Sequence, residues 1–173
     1  MTYQQSIVVS TAKPSKRLVA RSKLKKRGIG RVKRRKANKR PKVKSISKYI
    51  KEADAAMSIF VRTEEADNDG ICTCYTCGYR APIKKMQNGH LVSRYYKATR
   101  WDRRNCRVQC ITCNMWRNGM TPHFAAKLKQ ELGEGIVDEL YEKARQITKL
   151  TPNFVQGIID LYKKKLTDLL ANL

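Results

Sequence analysis

The chain has 173 residues, with 38 Lys or Arg against 14 Asp or Glu and a net charge of +24. That length holds one modest domain plus appendages, and a core of roughly 100 residues would bury only about two-thirds of its unfolded surface, so a structural metal would add materially to stability. No run approaches the roughly 20 apolar residues of a membrane span, which argues against a transmembrane helix and predicts a soluble protein.

Residues 1–44 carry 17 Lys or Arg and no acid, whereas the remaining 129 residues carry 21 basic and 14 acidic side chains. The excess is therefore an N-terminal arm, residues 1–45, with too little hydrophobic content to fold alone and expected to be disordered until it meets a partner. Such an arm is drawn to nucleic acid, because each phosphate it neutralises releases condensed counterions; Lys33, Arg34, Arg35 and Lys36 are its candidate DNA contacts. A solvated tail is the plain alternative, but 17 uncompensated charges exceed what solubility needs. A membrane surface fits less well, since Lys23 to Arg40 has almost no large apolar residue to insert. The start lacks the long apolar run of a secretory signal, and a transit peptide, which is also Arg-rich and acid-free, ranks behind the nucleic-acid reading.

From Ile46 to Arg62, Ile46, Ile50, Ala53, Met57 and Phe60 or Val61 recur on one stripe, which predicts an amphipathic helix. Asp67 to Gly70 reads as a turn and lacks the spacing and distal Glu of a calcium loop. Cys74-x-x-Cys77 and Cys110-x-x-Cys113 then form two knuckles of the kind that closes a tetrahedral zinc site, with Gly78 placed for the tight turn. Six cysteines so arranged point to metal in a reducing compartment rather than to disulfides. Cys72 and Cys106 are left as free, partly buried thiols; a Cys72-x-Cys74 ligand pair would strain the turn.

The knuckles are separated by 32 residues, longer than a simple zinc ribbon. Zinc would pin both ends of that insertion, so it must leave and return as a β-hairpin or a strand-loop-strand, followed by a helix starting near Cys113. His90 falls on the outgoing strand, Asn105 at the return, and Asn114 just past the last cysteine. A neutral histidine can accept a proton from water, and an amide can hold it or its loop by hydrogen bonds. The bland reading, a satisfied polar histidine in an inert zinc module, stands beside this one on spacing alone. Arg80, Arg94, Arg100, Arg103, Arg104, Arg107 and Arg117 surround the region; Arg94, Arg100, Arg104 and Arg117 are the candidate DNA contacts, with Asp102 expected to fix one arginine. Trp101 and Trp116 are expected to pack over the zinc core, with stacking on unpaired bases as the alternative.

Three helices complete the chain. Thr121-Pro122 reads as an N-cap and first turn, with Phe124, Leu128 and Leu132 following until Gly133. A second helix is predicted from Gly135 to about Lys149 with Ile136, Leu140, Ala144 and Ile147 on one face. Thr151-Pro152 repeats the start signal ahead of Val155, Ile158 or Ile159, Tyr162, Leu166 and Leu169 or Leu170.

Cys74-x-x-Cys77-Gly78, Gly89-His90-Leu91-Val92-Ser93-Arg94, Thr99-Arg100-Trp101-Asp102-x-x-Asn105 and Gln109-Cys110-x-x-Cys113-Asn114, with Gly119, in this order and spacing, resemble the phage NinG (Rap) recombination proteins, of the zinc-knuckle HNH endonuclease type. The likeness covers about residues 72–145. It implies a small ββα-metal (HNH) core stapled by a four-cysteine zinc site; joined to the helices read from periodicity, the expected fold is α+β, an N-terminal helix plus that core over residues 46–120 and a C-terminal helical segment over 121–173. It implies a metal-dependent DNA endonuclease acting in host cytoplasm on branched DNA such as four-way junctions or displacement loops, with a homodimer left open. His90 would be the general base, Asn105 would orient its hairpin, and Asn114 would be a catalytic-metal contact for Mg2+ or Mn2+, the cysteines holding structural Zn2+. Two positions depart from the family pattern. Gly89 lacks the ligand side chain common before the base, leaving Asn88, Asn118 or His123 to supply one, and Met120 stands where relatives commonly have Asn. A zinc-dependent nucleic-acid-binding module without catalysis is the competing class, and a structural protein of a ribonucleoprotein particle a third.

Overall fold

The computed structural model describes residues 44–172. Most of the basic arm, including Lys33, Arg34, Arg35 and Lys36, lies outside the described residues. Helix α1 spans Ile46–Glu64 and buries Ala53, Met57, Phe60 and Val61, the three- and four-residue spacing that a helix needs to present one apolar stripe. The turn after it is tied by Asp67, whose Oδ1 accepts from the Ile71 amide at 2.8 Å. Gly70 supplies a φ of +71° that a side chain would disfavour.

Two small antiparallel sheets follow. β1 (Ile71–Thr73) pairs with β2 (Arg80–Pro82), and β3 (Met86–His90) pairs with β4 (Cys106–Cys110) in the register Met86 opposite Cys110 and His90 opposite Cys106. All five residues of β4 are buried. Alternation sends Val108, Cys106 and Cys110 into the apolar core, while Arg107 and Gln109 face the other way and must find polar partners. Arg107 finds a bidentate one in Glu131, at 3.1 and 2.5 Å.

Helices α2 (Thr121–Leu132), α3 (Ile136–Ala144) and α4 (Pro152–Ala171) close the fold. α4 returns to α1, and Val155, Ile159 and Tyr162 join Met57, Phe60, Val61, Met86, Trp101 and Val108 in one core. Tyr162 donates its hydroxyl to the Trp101 carbonyl at 2.7 Å, which keeps its polar end satisfied. A second core gathers Leu91 and Val92 from the loop after β3 with Phe124, Leu128, Ile136, Leu140 and Ala144 from α2 and α3. At about 1.5–3 kcal/mol for each fully buried large side chain, these two clusters fix the hairpin from both sides. The fold is mixed, helices with small antiparallel sheets, and among the described residues no helix is long and apolar enough to cross a membrane.

Three expectations of local structure are corrected. The helix predicted from near Cys113 begins as a π-helical turn at Thr112–Trp116 and then breaks. Asn118, Gly119 and Met120 all take positive φ, at 47°, 74° and 51°, so the chain reverses before α2 starts. Thr121 is therefore the first residue of α2 rather than its cap, and its hydroxyl donates to the Asn118 carbonyl. Finally, α3 stops at Ala144, and Ile147 is fully exposed, because the apolar face of α3 is exhausted once Ile136, Leu140 and Ala144 have met α2. The start of α4 does follow its signal: Thr151 Oγ1 accepts from the Phe154 amide at 3.2 Å.

Candidate metal centre and adjoining cleft

The two knuckles meet although they lie far apart in sequence. Cys74 and Cys77 sit in the turn between β1 and β2, where Gly78 at φ +76° lets its amide reach the Cys74 carbonyl at 2.9 Å. Cys110 ends β4 and Cys113 lies in the π-helical turn, its amide directed at Cys110 Sγ from 3.4 Å. All four Sγ atoms lie within 4.8 Å of one another, and Cys77 and Cys110 are 3.8 Å apart. A tetrahedron with Zn–S bonds of about 2.3 Å has edges of about 3.8 Å, so the donor set fits a tetrahedral cation such as zinc. Burial alone would push the Cys74 thiol up, but the Thr76 hydroxyl and the amides of Cys110, Cys77 and Thr76 outweigh it and draw the thiol below its ordinary range. Cys72 and Cys106 stay outside the cluster. Cys72 is buried with its thiol donating to the Arg62 carbonyl, and Cys106 is wholly buried, which pushes its thiol up; neither has a nucleophile's environment.

His90 is the last residue of β3, one position before the chain turns into the second core. Its Nε2 lies 3.2 Å from the Arg100 carbonyl, an acceptor only, so Nε2 carries the proton and Nδ1 keeps the lone pair of the neutral ring. Desolvation pushes the imidazole down to about 4, opposed by the carbonyls of Arg100 and Asn88 and by Asp54, and reinforced by Arg94. At neutral pH the ring is uncharged and able to accept a proton.

Asn105 holds this arrangement from below. It is wholly buried; its Oδ1 accepts from the Val92 amide at 2.7 Å, and its Nδ2 donates to the carbonyls of Val92 at 2.9 Å and Thr99 at 3.1 Å. One amide thereby ties Val92 to Thr99, holding together the two ends of the chain between His90 and Arg100.

A polar cleft of about 280 Å³ opens beside His90, lined also by Asn88, Arg94, Asn114, Asn118 and Gly119. Asn114 donates its Nδ2 to Gln87 Oε1 at 2.6 Å, which leaves its own oxygen as the free end of the amide. The Oδ1 of Asn88 and the Oε1 of Gln109 are buried acceptors with no partner. His123 is exposed on α2 and does not line this cleft.

The arginines divide into two groups. Arg100 commits its guanidinium to Asp54 at 2.9 and 2.6 Å and to the Arg94 carbonyl; Arg104 pairs with Asp102 and Glu139. Arg103 and Arg107 are taken up by Glu64, Glu65 and Glu131. Arg94 is exposed and touches Asp54 only at 4.0 Å, while Arg117 is exposed and enters no ion pair among the described residues. Asp102 does fix an arginine, and Lys143 as well.

Two contributors have no role that the sequence alone assigns, although Gln109 stands in the motif. Asp54 stands beside the buried stripe of α1 and also accepts from Trp101 Nε1 at 2.9 Å, but nothing in its spacing marks it out from the other acids. Gln109 is wholly buried and donates to Thr76 Oγ1 at 3.1 Å and to the Gly119 carbonyl at 2.7 Å, joining the first knuckle to the break before α2. A polar residue between Val108 and Cys110 on a strand buried on both faces was the available signal. The two tryptophans part company: Trp101 is in the core, and Trp116 is 79% exposed.

Comparison with known proteins converges on one family. The family described as "Bacteriophage Lambda NinG protein" matches residues 3–171. Protein ninG of Escherichia phage 933W is 27% identical over 127 residues, 73% of this chain and 61% of that protein. Protein ninG of Salmonella phage P22 is likewise 27% identical over 127 residues, and that of Escherichia phage lambda 26%, each alignment covering 73% of this chain and 60% of the relative. The chain thus spans about three-fifths of the length of the curated relatives it matches. No solved structure matches.

Proposed function

The chain belongs to the bacteriophage Lambda NinG family, and from that footing we propose that it is a metal-dependent DNA endonuclease of the HNH type, hydrolysing phosphodiester bonds in branched recombination intermediates such as four-way junctions and displacement loops. The observation that carries this reading is His90: a neutral imidazole at a strand end, its Nε2 held by the Arg100 carbonyl, opening onto a cleft with Asn114 and Arg94. In that reading β3 and β4 stand for the two strands of a ββα-metal site, and the short π-helical turn at Thr112–Trp116, broken before α2, stands where its helix would begin. The four cysteines staple that turn to the first knuckle. Zinc there would be structural, since four thiolates leave no open coordination position.

In this mechanism His90 accepts the proton of the attacking water at Nδ1. Asn105 keeps the His90 loop in place without touching substrate, and Arg94 and Arg117 hold phosphates flanking the scissile bond. Asn114, with Asn88 or Asn118, would hold a hard cation through amide oxygens; the orphaned Oδ1 of Asn88 is the feature that fits such a ligand. That donor set is neutral, so the DNA phosphate itself would furnish the anionic ligand. Magnesium or manganese bound there would offset charge on the phosphate and on the departing 3′ oxygen.

The test is cleavage of four-way junctions and of linear duplex with Mg2+ or Mn2+, comparing wild type with His90→Ala. Loss of a general base lowers the rate by about 10²- to 10⁴-fold. Undiminished cutting by the variant removes His90 from the mechanism. Salt-sensitive binding with no product in either metal supports the competing reading, a zinc-dependent nucleic-acid-binding protein. Paired cuts across a junction require two active sites, so sedimentation with and without junction DNA reads whether two copies assemble.

A further inference from the structure

A second cleft, of about 640 Å³, lies on the cysteine side of the hairpin. Its walls include Tyr79, Lys84, Lys85, Ile111 and Arg117, and no Asp or Glu lines it. The three cations are exposed and join no ion pair among the described residues, whereas most arginines of the loop and β4 are matched to carboxylates. Tyr79 is 58% exposed and Ile111 51%, and the turn that contributes Thr112 and Cys113 to the wall ends in exposed Met115 and Trp116. The two clefts adjoin. Gln87 lines this one, Asn114 lines the His90 cleft, and their 2.6 Å hydrogen bond stands between them.

A duplex offers a protein its phosphates and buries its base faces, so it rewards cations and gives exposed aromatic rings nothing to stack on. A single strand offers both, and the grooves that bind it combine cations along the backbone with rings for the bases. A cleft of a few hundred cubic ångströms is also the size that encloses a nucleotide-scale ligand. We propose that this cleft seats an unpaired DNA segment adjoining the scissile bond, its phosphates on Lys84, Lys85 and Arg117 and one base on Tyr79, with exposed Trp116, on the turn outside the cleft wall, taking a base that leaves it. The inference rests on reading the chain as a DNA nuclease and goes beyond it by assigning the single-stranded part of a branch to a defined surface.

The experiment measures binding of the full chain, in EDTA-free buffer without divalent cations, to a fluorescein-labelled oligo-dT 12-mer and to a 20-bp duplex by anisotropy. Wild type, Tyr79→Ala, Trp116→Ala and the pair Lys84→Ala/Lys85→Ala are compared. All four positions are exposed, so the variants keep the fold. Stacking is worth about 1–3 kcal/mol per base, so each aromatic variant loses about 5- to 150-fold in oligo-dT affinity and changes less than about 2-fold on duplex. Removing two phosphate contacts lowers the salt slope for oligo-dT by about 1.4. Equal losses on both probes, or none on oligo-dT, overturn the proposal; equal losses would mark the face as a duplex or general polyanion surface. Cleavage run in parallel separates the two ideas. Cutting with unchanged oligo-dT affinity in the variants sinks this inference alone, and selective loss of oligo-dT binding without any cleavage sinks the nuclease reading alone.

Discussion

Replacing Asn105 tests whether one buried amide holds the His90 loop. In Asn105→Ala the Val92 amide and the carbonyls of Val92 and Thr99 lose their partner in a place that water does not reach, since Val92, Thr99 and Asn105 are all within 1% of full burial. Each orphaned group costs about 1–3 kcal/mol, and the two carbonyls can relax more readily than the amide, so the expected loss is about 4 kcal/mol. Asn105→Asp separates hydrogen bonding from mere volume. At pH 7.5 its carboxylate still accepts from Val92, but the second oxygen faces two carbonyls, so the variant is less stable than Asn105→Ala. At pH 4.5 a carboxyl forced upward by burial is protonated and can donate to one of those carbonyls, which makes the order reverse. Urea unfolding followed by circular dichroism at both pH values gives the four free energies needed. A cost below about 1 kcal/mol for Asn105→Ala, or an Asp-minus-Ala difference that does not move with pH, would refute the reasoning.

Gly89 and Gln109 should be energetically coupled: a Cβ at 89 would lie 2.1 Å from Gln109 Oε1, so Gly89→Ala should displace that side chain from Thr76 and Gly119 at about 2–3 kcal/mol. The same change made in Gln109→Ala should cost under about 1 kcal/mol, and a double-mutant cycle by urea unfolding with no coupling would show that the approach is tolerated. Metal removal is expected to release one ion per chain, measured by mass spectrometry, and to cost on the order of 4 kcal/mol or more, because Cys74, Cys110 and Cys113 are part of the first core. Retention of the full unfolding temperature after exhaustive chelation would count against a structural metal. For pH, the unfolded His90 protonates at its ordinary 6.5 while the folded ring stays neutral down to about 4. The stability it contributes is therefore complete above pH 6.5 and is lost as pH falls toward 4. Wild type should lose about 2 kcal/mol more than His90→Gln between pH 7 and 5, and parallel losses would place the ring in water.

What could be read from the sequence was whatever depends on local periodicity or fixed spacing. Ala53, Met57 and Phe60 announce α1, Thr151 announces the cap of α4, and the two C-x-x-C pairs announce a cluster, because each is set by the geometry of a few consecutive residues. The reversal at Asn118, Gly119 and Met120 was not legible: a lone glycine says that positive φ is tolerated there and says nothing of its two neighbours. Ile147 continues the α3 stripe in sequence, yet its helix ends where its partner surface ends. The placement of Trp101 and Trp116 was equally hidden. Trp101 is drawn inward by Asp54, 47 residues away in sequence, and no periodic pattern encodes such a pair.

The division among the cations has a consequence for ionic strength. Arg100, Arg103 and Arg107 are 26% exposed or less and grip carboxylates at 2.5–3.1 Å, too close for a mobile ion to come between, whereas Arg94 and Lys84, Lys85 and Arg117 stand in solvent. At roughly 1 M salt the screening length shrinks to about 3 Å, which abolishes attraction between exposed charges and a distant polyanion but barely weakens contacts already closed. The fold and the proposed hold on nucleic acid would thus respond to salt on separate scales. A bound strand could be shed by concentrated electrolyte and the folded chain recovered intact, ready to bind again on dilution.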